Sequence, residues 1–374
     1  MKQPNLFDYA TSELSQDAFL CWLLAWANQK DNSPLKNMAI DFIKLMFDLH
    51  DKFFASDELK DIVIRQQYKH IDVLLELIFP THRQYIIIED KVHSGPHSNQ
   101  LQRYMDSLQS EIKPEDDIIG IYFKTGFIFD FDIMAIKQLP STYPYKMITR
   151  VQMLDLMEKY INDITSDIFH DYYYYLKTID YTYQRMSSIL ESNLFKQNEL
   201  EEVLQSREGQ WILMKKIFTP LSSSEHSFYN GLNPDGSPWT QIKFLSTNEI
   251  NVLPDKLFYR IDKRKGGYYL SLRQYLNYNH HHTIKKFKPK TEEHILAEKR
   301  QRLKKLRDCF KLACIQQSEN EGTLTAGKVS QRGKKESEIG VFFFNEDNPL
   351  EKFYNDIPVF HEKFIKLVKR EFEI

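Results

Sequence analysis

The chain has 374 residues, of which 42% are hydrophobic and 14% aromatic, and its net charge is −2. This length predicts two domains, and a net charge near zero argues against a generic nucleic-acid coat protein. Three cysteines exclude a disulfide framework and favour a cytoplasmic location, while the apolar stretch 19–27 is too short to span a bilayer and no signal-peptide pattern precedes it.

Two helices are predicted ahead of the first strand. The first begins at 11–12 and continues with leucines at helical spacing. Glu13 lies in its first turn, where a carboxylate suits the positive end of a helix. A second helix is predicted over 34–49, and the segment 60–68 is predicted to be the first strand.

Two short apolar runs, 71–78 and 85–92, follow each other with a polar link that contains Pro80. Short β-branched runs on either side of a turn predict adjacent strands, most simply an antiparallel hairpin. Their nearly continuous apolar character indicates that both faces are covered, as in a sheet packed between helices.

Three charged residues end the second of these runs, Glu89-Asp90-Lys91. Strand alternation places Glu89 and Lys91 on one face and Asp90 on the other. Asp72, near the start of the preceding strand, lies beside them if the two strands form a hairpin. Two carboxylates make a hard oxygen site for Mg²⁺ or Mn²⁺, and the lysine can hold a water molecule or a phosphate oxygen.

A helix is predicted over 99–108, after a loop with a Gly-Pro breaker. Gln100 and Tyr104 are four residues apart and therefore share one helical face. The pair can face the carboxylates, where it would hold a substrate phosphate or position Lys91.

The remaining pattern predicts a strand at 117–124, a helix at 149–159 and a tyrosine-rich helical segment at 167–204. The tyrosines are expected to pack against the core rather than to stack on bases. A cluster of Gly, Pro and Ser after position 205 predicts a domain boundary, with domains at 1–205 and 206–374. We therefore expect an α/β fold followed by an α+β region.

The second region is predicted to hold strands, a basic helix and a final helix. Strands are expected at 239–245, 257–261, 268–273 and 339–344, and helices at 292–314 and 350–372. The three histidines 280–282 favour a loop over a metal site, because consecutive side chains point in different directions. Residues 323–338 are expected to form a mobile loop.

Positive charge is concentrated at 255–311, which holds 17 Lys and Arg against 6 Asp and Glu. Such a stretch is typical of a surface that faces a polyanion, or of solvated helix faces, and the sequence leaves both interpretations open. Lys263, Arg264 and Lys265 lie at the tip of a predicted hairpin and are candidate contacts to nucleic-acid phosphates.

One ordered set of residues resembles the PD-(D/E)XK nuclease superfamily. In chain order, the set is Asp72, Glu89-Asp90-Lys91 and Gln100-x-x-x-Tyr104. The trailing part is similar to a motif of the RecB-type and exonuclease-like branches, and Ile71 stands where the family motif has a proline. The likeness covers the first third to half of the chain. It implies a restriction-endonuclease-like core, which is a mixed sheet with helices on both sides.

The resemblance further implies a metal-dependent deoxyribonuclease that hydrolyses phosphodiester bonds with Mg²⁺ or Mn²⁺. Asp72 and Glu89 would bind the metal, and Lys91 would position the attacking water. Glu13 would be an additional metal-site acid, or else simply a first-turn acid of its helix. The Gln100–Tyr104 pair would support catalysis by contacting phosphate or bracing the lysine.

The expected partner is DNA, with RNA less favoured, no membrane, and a homo-oligomer left open. Nucleases of this kind belong to bacterial restriction, repair or phage defence. The alternative is a catalytically silent nucleic-acid-binding or protein-interaction module on the same fold. The presence of both acids and the lysine favours an active enzyme.

Overall fold

The computed structural model has the predicted α/β architecture, a mixed central sheet flanked by helices and then an α+β region with a second sheet. It describes residues 4–10, 12–95, 99–192, 197–221, 228–243, 255–276, 291–318, 324–330, 335–346 and 348–373. The chain divides into two compact units, 1–183 and 184–374. The predicted domains, 1–205 and 206–374, rest on a change of composition further along the chain and stay a prediction.

The first unit contains the mixed sheet. Its strands are β1 (Asp61–Tyr68), β2 (Ile71–Ile78), β3 (Arg83–Lys91), β4 (Asp117–Lys124) and β5 (Tyr145–Thr149). Its helices are α1 (Ser12–Ala25), α2 (Pro34–Leu49), α3 (Gln100–Gln109), α4 (Asp130–Lys137), α5 (Arg150–Glu158) and α6 (Asp167–Glu191), of which α6 continues past the division.

The strand order of this sheet is β1-β2-β3-β4-β5. The first three strands are antiparallel neighbours, and β4 and β5 follow in parallel. The predicted β2–β3 hairpin is therefore confirmed. Helix α4 was not expected. The segment 141–145, predicted to be a loop or an edge strand, leads into β5, which is the edge strand of the sheet and pairs in parallel with β4.

Different helices bury the two faces of the mixed sheet. On one face, a large core joins side chains of β2 and β3 to those of α1, α2 and α5, among them Val73, Ile88, Leu20, Phe42 and Met153. On the other face, apolar residues of β2 and β3 pack against α3, namely Leu74, Ile87, Leu101, Met105 and Leu108. Burial on both faces explains why the two strands are apolar throughout.

The second unit contains an antiparallel sheet with the order β10-β9-β8-β7-β6. Its strands are β6 (Phe228–Leu232), β7 (Pro238–Lys243), β8 (Asp255–Arg264), β9 (Gly267–Leu276) and β10 (Glu336–Phe343). Its further helices are α7 (Gln197–Leu204), α8 (Arg207–Phe218), α9 (Glu292–Ser318) and α10 (Leu350–Phe372). One core cluster joins this sheet to α7, α8, α9 and α10.

The strands and helices predicted for the second region are present, with shifted ends, and β6 was not predicted. Residues 336–338, expected in a loop, begin β10 instead, because they pair with β9. Two of the predictions concern positions outside the described residues. These positions are the histidines 280–282 and, within the expected loop, 323 and 331–334. Within the described ranges, no helix combines the length and apolar character needed to cross a membrane.

Candidate active site

Asp72, Glu89 and Lys91 come together at one end of the β2–β3 hairpin. The pairing of Val73 with Ile88 places Asp72 opposite Glu89 on the same face of the sheet. Lys91 Nζ lies 2.6 Å from Glu89 Oε1 and 3.4 Å from Asp72 Oδ2. The structure therefore brings the three residues of the predicted site into direct contact.

Burial sets the protonation of this triad. The side chain of Glu89 is fully buried, and its Oε2 has no hydrogen-bond partner among the described residues. Burial, together with the negative charge of Asp72, raises the pKa of Glu89 to about 8. Burial alone would lower the pKa of Lys91, but the charges of Glu89 and Asp72 raise it above its ordinary value. Lys91 is therefore a permanent cation between two acids.

Glu13 joins the same site from helix α1. Its Oε1 accepts hydrogen bonds from Ser94 Oγ at 2.7 Å and from the backbone N–H of Val92 at 3.4 Å. Burial would raise the pKa of Glu13, but the hydrogen bond from Ser94 and the charge of Lys91 lower it. Glu13 is thus an ionised carboxylate at the end of β3.

The Gln100–Tyr104 pair lies on the face of the sheet that carries Glu89. Gln100 Nε2 donates to Tyr104 Oη at 2.6 Å, and both side chains are buried. Burial raises the pKa of Tyr104, and the nearby charges of Glu89 and Asp72 act in the same direction although the bond from Gln100 opposes them. The phenol therefore keeps its proton and can donate it in a hydrogen bond.

Two polar residues that sequence reasoning passed over, Asp17 and Gln67, also belong to the site. Gln67 Nε2 donates to Asp17 Oδ2 at 3.0 Å and to Asp72 Oδ1 at 3.3 Å. Burial and the charge of Asp72 raise the pKa of Asp17 to about 6. The sequence did contain a signal for Asp17, because Glu13 and Asp17 are four residues apart and therefore share a face of α1.

Asp90 points to the opposite face of β3, as strand alternation predicts. Its Oδ1 accepts a hydrogen bond from Gln16 Nε2. The amide oxygen of Gln16 accepts in turn from Thr125 Oγ1 at 2.7 Å and Tyr172 Oη at 2.8 Å. Burial, reinforced by the charge of Asp17, raises the pKa of Asp90 well above its ordinary value. Asp90 therefore belongs to the buried polar network behind the site.

The loop after β3 is held by Lys124, a fully buried residue that sequence reasoning also passed over. Its Nζ donates to the backbone oxygen of Ser94 at 2.6 Å and lies 3.7 Å from Asp132 Oδ1. The Ser94 hydroxyl contacts Glu13, so Lys124 fixes the segment that carries this contact.

The three candidate cations of the β8–β9 turn do not share one environment. Arg264 donates to Glu338 Oε2 at 3.1 Å and to the backbone oxygen of Lys328 at 2.5 Å. Lys263 is exposed, with its Nζ 5.1 Å from the ring centre of Tyr268, and Lys265 is exposed as well. Arg264 thus points into the unit, and only the two lysines face solvent.

Internal ion pairs occupy much of the basic stretch 255–311. In the part that the structure describes, the pairs include Arg260–Asp262, Arg273–Glu336, Arg302–Asp255 and Lys305–Glu371. Several of these guanidinium groups are largely buried. The excess of positive charge in the sequence is therefore not matched by an equally large exposed basic surface in the described part.

The donor set at the end of the β2–β3 hairpin suits a hard divalent cation. Among the described residues, no group of three or more His, Cys, Asp and Glu is arranged as a metal-binding cluster. Lys91 Nζ contacts both Asp72 and Glu89. Even so, one buried oxygen of Glu89 has no donor in the described part of the chain, and carboxylate oxygens are the ligands that Mg²⁺ and Mn²⁺ prefer.

A comparison with protein families gives one match. A model described as the PD-(D/E)XK nuclease superfamily matches residues 4–277. The match includes α1 and the hairpin with the site acids, and it continues through β9. It therefore covers more of the chain than the motifs alone, which suggested only the first third to half. No curated protein and no solved structure matches the chain.

Proposed function

We propose that this chain, which belongs to the PD-(D/E)XK nuclease superfamily, hydrolyses phosphodiester bonds of DNA with Mg²⁺ or Mn²⁺. The family supports a nuclease in general, and its members generally use divalent metal ions. The observation that carries the finer proposal is the contact of Lys91 Nζ with both Asp72 and Glu89, beside a buried oxygen of Glu89 that has no donor among the described residues.

Asp72 and Glu89 would hold the cation, with Glu13 as an additional acid. When bound, a divalent cation polarises the scissile phosphate and lowers the pKa of a coordinated water molecule. Its charge would also favour the ionised form of Glu89, which burial disfavours in this fold. The residues at the site are therefore suited to the divalent cation that members of the family generally use.

Lys91 supplies a fixed positive charge. Because the neighbouring carboxylates raise its pKa, its ammonium group acts as a hydrogen-bond donor and not as a base. Such a donor can orient the attacking water and stabilise the negative charge that develops on the phosphate oxygens. The two carboxylates that contact Nζ limit its motion, so the donor is oriented before substrate arrives.

Tyr104 and Gln100 would act on the phosphate from α3. The Gln100 amide donates to the Tyr104 oxygen, so the phenol hydrogen remains available for an acceptor. A phosphate oxygen is a suitable acceptor for a protonated phenol. Lys263 and Lys265 of the second unit are proposed as phosphate contacts that hold the DNA, while Arg264 stabilises the turn that presents them.

The finer biological proposals follow from the family alone. We propose a bacterial enzyme that acts in the cytoplasm, in restriction, repair or phage defence. Gene neighbourhood would distinguish these roles, and the oligomeric state is measured by light scattering.

Cleavage in defined metal ions tests the proposed function. We expect purified protein to degrade DNA in Mg²⁺ or Mn²⁺, and EDTA to abolish the activity. Ca²⁺ should support DNA binding better than cleavage, because its larger and more flexible coordination shell activates water poorly. The measurement is gel-resolved cleavage of labelled DNA, with RNA of the same sequence as the comparison. Cleavage that persists in EDTA would contradict the metal site.

A further inference from the structure

The end of β1 departs from strand geometry beside the acidic site. Gln67, Lys69 and His70 have φ angles of 53°, 54° and 70°. Lys69 and His70 form the two-residue connection between β1 and β2, where left-handed residues are expected because the favoured hairpin turn requires them. Gln67 lies before this turn, within the strand, so the turn does not account for its conformation.

A left-handed glutamine inside a strand is energetically unfavourable. Residues with a Cβ adopt this region at a steric cost, and such positions are concentrated at functional sites. The strand pairing is also interrupted here. Gln66 pairs with Val73 and Tyr68 pairs with Ile71, but no pairing joins Gln67 to the residue that stands opposite it, Asp72.

The side chain of Gln67 makes the contacts that the strand pairing lacks. Its amide nitrogen donates to Asp72 Oδ1 at 3.3 Å and to Asp17 Oδ2 at 3.0 Å. An amide nitrogen carries two hydrogens, one for each carboxylate. The contact therefore satisfies two acids that would otherwise repel each other, without the positive charge of a lysine.

Asp72 is consequently held on both of its oxygens. Gln67 contacts Oδ1, while the backbone N–H of Asp90 donates to Oδ2 at 2.9 Å and Lys91 Nζ lies 3.4 Å from the same oxygen. Removing Gln67 would leave Oδ1 without this donor and allow the carboxylate to rotate.

We propose that Gln67 is a positioning residue that fixes the orientation of Asp72 for cation binding. The inference rests on the proposed function, since it assumes that Asp72 contacts the divalent cation. Gln67 acts through Asp72 and Asp17. The left-handed backbone at Gln67 is retained because it directs the amide between these two carboxylates.

Two substitutions separate the amide from the backbone. Gln67→Gly removes the amide and accepts the left-handed conformation without steric cost. Gln67→Met keeps the length of the side chain and removes its donors. The matched control is Gln66→Met, one residue earlier in the same strand, where the side chain is also exposed.

Calorimetric titration with CaCl₂, in the absence of nucleic acid, measures the effect. Partners that orient metal ligands typically contribute about 10–100-fold to metal affinity. We expect both Gln67 variants to bind Ca²⁺ about 10–100-fold more weakly than the parent, with the Gln66→Met control unchanged. Asp72→Asn should abolish the heat and so assign it to this site. Thermal unfolding should show Gln67→Gly to be at least as stable as the parent.

Cleavage assays on the same variants provide a second readout. We expect kcat to fall with the Ca²⁺ affinity while KM for DNA stays within about twofold, because the phosphate-binding residues are unchanged. If Gln67→Gly binds Ca²⁺ and cleaves like the parent, the amide of Gln67 has no part in positioning Asp72, and the proposal is wrong. A parent that binds Ca²⁺ but cuts no nucleic acid would overturn the nuclease proposal instead, and the affinities of the Gln67 variants would still decide the role of this residue.

Discussion

Adjacent residues of β3, Asp90 and Lys91, have opposite environments. Lys91 contacts Asp72 and Glu89 on the face that carries the site. Asp90 accepts from Gln16 on the other face, and burial favours its protonated form. A protonated Asp90 can donate to Asp17, which is also buried. One strand therefore presents a charged donor to the site and a neutral acid to the core.

This difference predicts opposite responses to substitution. Lys91→Ala removes the donor that orients the attacking water, so cleavage should fall by about 10²–10⁴ while DNA binding survives. Asp90→Asn should leave cleavage and folding largely intact, because an amide resembles the protonated acid and can still accept from Gln16 and donate to Asp17. Cleavage rate and DNA affinity are measured for both on one substrate. An inactive Asp90→Asn with an active Lys91→Ala would show that the wrong face of β3 has been assigned to the site.

At the scale of elements, the sequence predicts most where hydrophobic patterning is continuous. The β2–β3 hairpin and the α3 face were readable because each has a regular apolar period. Helix α4 was not, since apolar residues such as Phe131 and Met134 remain exposed and give no clear stripe. Gln67 could not be found, because a left-handed residue within a strand leaves no trace in that pattern. The roles assigned to the site residues stay predictions that only mutants can test.

The β8–β9 turn offers a test at the element scale, because its cations divide into two kinds. Replacing Lys263 and Lys265 together by Ala should weaken DNA binding and reduce the slope of log K against log salt by about 0.9 for each phosphate that is no longer neutralised. Arg264→Ala is the contrasting variant. It should instead lower the free energy of unfolding by about 1–3 kcal/mol, since the largely buried Glu338 would lose the charged donor at its Oε2 and keep only the Ser330 N–H there. Binding is measured by fluorescence anisotropy over a salt series, and an unchanged slope in the double variant would mean that the turn does not touch DNA.

At the scale of the whole molecule, the two units handle charge differently. The second unit pairs its buried arginines with acids, as in the pairs Arg273–Glu336 and Arg302–Asp255. In the first unit, several acids surround Lys91, and burial raises the pKa values of Asp17 and Glu89. The arrangement in the first unit links folding to pH and to cations, whereas the paired charges of the second unit do not depend on an added ion.

This linkage predicts how stability responds to pH. In the folded chain the pKa of Asp17 is raised to about 6 and that of Glu89 to about 8, from ordinary values of 3.8 and 4.5. The folded state then holds protons that the unfolded chain has already released, so in EDTA the free energy of unfolding should decrease as pH rises from about 4 to 8. A cation favours the ionised carboxylates, so Mg²⁺ should stabilise the folded chain more at pH 8 than at pH 5. At pH 8, Mg²⁺ at 100 times its Kd should raise the free energy of unfolding by about 2.7 kcal/mol.

The matched variant is Glu89→Gln, which removes the titrating group and one proposed ligand together. Thermal unfolding followed by circular dichroism, with and without Mg²⁺, should show a flatter dependence on pH between about 6 and 8 for this variant, and a smaller stabilisation by Mg²⁺. The comparison cancels the contributions of all titrating groups that the two proteins share. If the parent and Glu89→Gln lose stability equally between these pH values, burial does not hold a proton on Glu89, and the cation is not needed to ionise it.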